Sequence, residues 1–163
     1  MQAGRRPVLA AVLGWSLVAA YSAVGAVQIL VWNPLAAAPD RSLTQIRADL
    51  DRAGEQLGEP WVFAFVAAGL GIGIAVLAAA LAARWTTRGV IRAYLVVLAL
   101  GAPAYWAASF SAGMSLADTY GIGGGDHAPW GAALGAASAA AFLALGVVSL
   151  PIRGSRPVLP GTT

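Results

Sequence analysis

Four long apolar runs, 8–31, 61–83, 90–112 and 131–150, alternate along the chain with shorter polar stretches. Each is close to the roughly 20 residues that a helix needs to cross the hydrocarbon core of a bilayer. None contains an acidic residue or a histidine, and Arg92, at the start of the third, is the one charge among them. Backbone amides have no water to bond inside hydrocarbon, so each run is predicted to satisfy its hydrogen bonds within itself as an α-helix. The expected fold is all-α: an integral membrane four-helix bundle over 1–152 as a single domain, with a flexible cytoplasmic tail at 153–163.

The polar stretch between the first two runs has a pattern of its own. Leu43, Ile46, Leu50, Ala53 and Leu57 recur at steps of three and four, which gathers them on one face of a helix. Ser42 and Gln45 have the capping-box form, Gly58 supplies a stop and Pro60 suits the first turn of the next span. A short extracytoplasmic amphipathic helix over 42–57 is therefore predicted between spans 1 and 2. Arg47 with Asp51, and Asp49 with Arg52, are spaced to pair along its wet face. The apolar stripe has three readings: a cap on its own bundle, a lipid-interface face, or a partner contact through Leu43, Ile46, Leu50 and Leu57. Net negative charge disfavours the lipid interface, where basic residues usually meet anionic headgroups.

Composition supports the membrane assignment. Only 10% of the 163 residues are charged and 59% are hydrophobic, whereas soluble domains carry about 25% charged residues. All ten basic residues are Arg, and the richness in Ala and Gly points to a GC-rich bacterial source and an inner membrane. Six of the ten arginines fall before the first run, between the second and third, and after the fourth, and Arg92 at the start of the third run adds a seventh on that side, while all seven acids fall in the other two connections. Arginine is retained on the cytoplasmic side of span ends, so both termini are expected there. The length of the first run, with Pro39 after its small residues, favours a retained span over a cleaved signal peptide.

Small residues indicate close packing. Gly69 and Gly73, and Gly131 and Gly135, form GxxxG pairs, read first as packing within the bundle and second as self-association. Pro103 removes the bond to the Ala99 carbonyl, so a kink is expected in the third span. Tyr21, Gly71, Pro103, Tyr105 and Ser138 are expected at similar depth, where a small neutral cavity for a lipid or solute is the candidate site. In the Gly-rich second loop, Asp118, Asp126 and His127 form a candidate polar cluster. Zinc needs three or four suitably spaced ligands, and the chain has one His and no Cys. Arg84, Arg88 and Arg92, at steps of four, are candidate contacts for anionic lipid.

The chemistry available is narrow. With no Cys and no acid within a predicted span, thiol chemistry, paired-aspartate proteolysis and ion coupling through buried charges find no residues to carry them. The reading is a non-catalytic accessory subunit, assembly factor or scaffold. It needs no cofactor, lies among membrane lipid, and meets a membrane-protein partner or a second copy rather than nucleic acid. The alternative is binding or transport of a neutral small molecule or lipid near Tyr21, Tyr105 and Pro103.

Overall fold

A computed structural model describes residues 5–83 and 85–150; Arg84 and the 153–163 tail lie outside the described residues. Among these, every regular element is helical. Four helices are long and apolar enough to cross a membrane: Arg6–Ala37, Glu59–Ala82, Thr87–Tyr120 and Trp130–Ser149. Locally, the first comprises α1 (Arg5–Val27), a π-helical turn at Gln28–Trp32 and α2 (Asn33–Ala37). The short α3 (Leu43–Ala53) follows, then α4 (Glu59–Ala82), α5 (Thr87–Ala99), α6 (Gly101–Tyr120) and α7 (Trp130–Ser149).

The first helix runs past residue 31, through an internal proline. Pro34 has no N–H for the Leu30 carbonyl, which ordinarily breaks or kinks a helix. The wide turn immediately before it absorbs the mismatch: the Asn33 N–H bonds to the Gln28 carbonyl, one residue further back than in an α-helix. The third helix is interrupted where Pro103 implies. Its ladder breaks at Leu100 (ψ −6°), resumes at Gly101, and continues well beyond residue 112 to Tyr120.

The helix predicted at 42–57 is shorter than its apolar pattern. Its start is the expected capping box, with Ser42 and Gln45 bonding each other's backbone N–H. Its end is set by Gly54 rather than Gly58. Gly54 takes φ +77°, its N–H bonds the Asp51 carbonyl and the Glu55 N–H bonds the Leu50 carbonyl, which is a Schellman closure. Gly58, at φ +68°, is the N-cap of α4.

Two core clusters define the ends of the bundle. At the arginine end Ala11, Val18, Ala80, Val90 and Tyr94 pack together from α1, α4 and α5. At the acidic end Tyr21, Ile29, Val62, Tyr105, Ala112 and Leu116 join Ile46, Leu50 and Leu57. Successive long helices therefore run in opposite directions. Glycine sets the distance between α1 and α4: a Cβ at Gly69 would strike the Ser22 hydroxyl, one at Gly73 would lie 3.0 Å from the Trp15 ring, and one at Gly25 would lie 2.8 Å from Phe65. Tyr94 lies over Gly14 and donates its hydroxyl to the Gly73 carbonyl at 2.9 Å. The first GxxxG pair is thus occupied within the chain, whereas Gly135 of the second faces open space.

Candidate functional site

A groove of about 750 Å³ runs between α1, α4 and the α5–α6 pair. Its size falls within the roughly 300–1,000 Å³ of small-molecule sites. Trp61, Phe110 and Ser111 stand at its acidic end, Tyr21, Phe65 and Gly101 at its waist, and Val18, Ile72 and Val97 at its deep end. The groove opens sideways, because Trp61, Leu100 and Phe110 on its walls are 65%, 61% and 55% exposed. Among the described residues, no charged side chain and no histidine lines it. The walls offer apolar contact and a few hydroxyls, without an acid–base pair.

Helix geometry explains the opening. The interruption at Leu100 precedes a run of small residues, and Gly101, Ala104, Ala107 and Ala108 give α6 a low wall opposite Ala64, Ala68 and Gly69 of α4. Tyr21 closes the back. Its ring packs at a tilt on Phe65, 6.5 Å between centroids, and against the bare backbone of Gly101, where a Cβ would lie 2.7 Å from the ring. Its hydroxyl turns away to α7, 3.1 Å from the Ser138 hydroxyl and 3.4 Å from the Leu134 carbonyl. Tyr21 thereby divides an apolar groove from a polar seam.

That seam belongs to the acidic end. Tyr105, buried on α6, donates to the Asp126 carboxylate with both oxygens at 2.9 Å. Gly131 makes room, since a Cβ there would overlap the carboxylate. Gln28, fully buried, donates to the Ala128 carbonyl at 3.2 Å, and the Asn33 side-chain oxygen accepts from the backbone N–H of His127 (2.6 Å) and of Ala128 (3.4 Å). Residues 28 and 33 would face different sides of an α-helix. One turn of π-helix brings positions five apart onto one side, so the two amides grip the same loop. The Gln28 side-chain oxygen has no partner among the described residues.

Comparison with known proteins gives no match: no family model, no curated protein and no solved structure matches the chain.

Of the five residues expected to share a cavity, Tyr21 alone lines the groove. Ser138 bonds Tyr21 from behind, and Tyr105 belongs to the loop contact. Gly71 and Pro103 are exposed and outside the groove, Pro103 acting through the break at Leu100. The Asp118, Asp126 and His127 set divides: Asp126 reaches Tyr105, His127 contributes its backbone N–H, and Asp118 is exposed on α6. No group of three or more His, Cys, Asp or Glu able to hold a metal occurs among the described residues.

The apolar stripe of α3 lies against its own chain. Ile46, Leu50 and Leu57 are buried in the core of the acidic end, and Leu43 is half-buried. Those three are not offered to a second protein in this conformation, because α6 extends far enough to cover them. Ser115 of α6 holds the link after α3, donating to the Glu55 carboxylate and the Gln56 carbonyl at 2.8 and 2.7 Å. On the wet face Arg47 pairs with Glu59 at 2.9 Å rather than with Asp51, while Asp49 meets Arg52, Arg41 and the Tyr120 hydroxyl. At the opposite end Arg88 and Arg92 bond the final carbonyls of α7.

Sequence reasoning passed over Gln28 and Asn33. A signal was present: Gln28 is the only side-chain amide within the four predicted apolar runs. A lone amide at that depth needs a partner, and Asn33 next to Pro34 marks the neighbouring irregularity.

Proposed function

We propose that the chain is a non-catalytic, multi-pass protein of a bacterial cell membrane that binds the hydrocarbon part of a neutral, lipid-like molecule in the groove beside Tyr21. The observation that carries this reading is the groove itself, about 750 Å³, uncharged and open sideways. A guest entering from the bilayer need not cross water. Its chains would meet Phe65, Ile72 and Val97, and a small polar head would meet the hydroxyls of Ser22 and Ser111 and the indole of Trp61. Both termini are cytoplasmic in this reading and α3 is extracytoplasmic, an orientation supported by the arginine bias.

Native mass spectrometry of the protein released from membrane in mild detergent tests it. The wild type is expected to carry a stoichiometric neutral lipid that a groove-filled variant, Ala68→Phe with Ala104→Phe, has lost. Equal lipid retention by a folded double variant would refute the assignment.

One observation favours a second reading, an accessory subunit or scaffold that meets a membrane-protein partner or another copy. Gly135 and Gly146 on α7 have open space where a side chain would stand, beside exposed Ala132, Ala136 and Ala139. Small residues let a second helix approach closely. Gly135→Leu is expected to abolish co-purification of such a partner; unchanged recovery would remove this reading.

A further inference from the structure

α5 begins directly after the Thr86 cap, so Arg88 and Arg92 stand one turn apart on one face of it. Arg88 Nε donates to the Val148 carbonyl at 2.7 Å and Arg88 Nη2 to the Leu150 carbonyl, while Arg92 Nη2 donates to Val148 at 3.1 Å. The Val148 carbonyl lies in the last turn of α7 and the Leu150 carbonyl at its C-cap, where carbonyls lack the usual intrahelical partner. The end of α7 fixes both guanidinium groups in place and supplies only about half a negative charge against two positive ones.

No Asp or Glu side chain among the described residues is positioned to supply the rest. Asp and Glu are absent between Glu59 and Asp118 and after Asp126. The ion pairs of the described residues involve Arg41, Arg47 and Arg52, all at the acidic end. The 24 residues of α4 put that end roughly 36 Å away, several times the screening length of about 8 Å. A guanidinium has five N–H donors; beyond the three bonds named and the buried Arg92 Nε, most of the pair's donors have no partner among the described residues. Val147 and Leu150, 70% and 64% exposed, flank the pair with apolar surface. Phosphate with hydrocarbon attached fits this combination; free phosphate would gain nothing from the two apolar side chains.

We propose that Arg88 and Arg92, held by the end of α7, form a binding site for the phosphate of an anionic lipid headgroup. The site is separate from the groove and stands whether or not the groove binds a guest. The test uses the full chain in nanodiscs of phosphatidylcholine with rising phosphatidylglycerol, counting retained lipids by native mass spectrometry. Wild type is expected to prefer phosphatidylglycerol by roughly thirtyfold, from about 1 kcal/mol for each of the two charges. Arg88→Gln with Arg92→Gln should lose that preference, and Arg41→Gln with Arg47→Gln should keep it. Should the first double variant fail to fold, each single variant is expected to lower the preference by roughly fivefold. Three results would overturn the proposal: no preference in wild type, an unchanged preference in the Arg88 and Arg92 variants, or equal displacement of phosphatidylglycerol by inorganic phosphate at matched concentration.

Discussion

The hydroxyl of Tyr105 lies 2.9 Å from each carboxylate oxygen of Asp126, so a buried side chain of α6 holds the Gly-rich loop across the end of the bundle. Twenty-one residues separate them. The bond joins two regions that look independent along the chain, the middle of a span and a pliable connection. Hydrogen bonds to a charged group contribute about 1.5–3 kcal/mol, but Asp126 is exposed and water competes, so a lower figure applies. Tyr105→Phe is expected to cost about 1 kcal/mol in unfolding free energy, and a double-mutant cycle with Asp126→Asn to give a coupling of about 1 kcal/mol. Additive costs would show that the two residues act separately.

The grip of the π turn on the same loop is read by amide exchange. Asn33→Ala removes the acceptor for the N–H groups of His127 and Ala128. Their hydrogen exchange is expected to accelerate by about tenfold, as the loss of one net hydrogen bond near 1.4 kcal/mol implies. The Gln45 amide, capped by Ser42 in α3, serves as the control and should not change.

Gly131 and Gly135 stand one turn apart on α7 and should respond oppositely to alanine. At Gly131 a Cβ would enter the Asp126 carboxylate and lie 3.0 Å from the Tyr105 hydroxyl; at Gly135 it meets nothing within 4 Å. Gly131→Ala is expected to destabilise by about 1–3 kcal/mol through overpacking. Gly135→Ala is expected to be neutral or to stabilise by up to about 1 kcal/mol, from the lower entropy cost of helix formation. Denaturation of the two variants in the same detergent decides this.

α3 is a structural lid on the bundle, and its cost of removal follows from burial. Leu50 is 1% exposed within the core of the acidic end. Leu50→Ala should destabilise by about 2–5 kcal/mol, and half-buried Leu43→Ala by clearly less. Equal, small effects in thermal unfolding would mean that α3 does not pack on the bundle in solution.

What could be read from the sequence was what lies close along it. The four apolar runs are legible because hydrocarbon demands length and a near-absence of charge, and the four long apolar helices are there. The capping box at Ser42 and the break near Pro103 are legible because each depends on residues within one helical turn. Continuation through Pro34 was hidden, since it needs a π turn that no local propensity announces. The end of α3 went to Gly54 rather than Gly58 because both glycines can take a left-handed conformation, and the fit of Leu57 and Ser115 against the link chooses between them. The groove depends on where three helices part company, and the Tyr105–Asp126 bond on how a glycine-rich loop folds back. Both are set by contacts far apart in the chain.

The most direct test of the groove is photocrosslinking in vesicles with a diazirine-bearing neutral diacylglycerol, with adducts mapped by residue at increasing probe concentration. Adducts at Ala64, Ala68, Ala104 and Ala107 are expected to saturate, to be competed away by unlabelled lipid and to vanish in the Ala68→Phe, Ala104→Phe variant, while adducts at exposed Phe142 and Val147 of α7 rise in proportion to the probe. Labelling that rises in the same proportion on all four long helices, with no saturation beside Tyr21, would contradict the account.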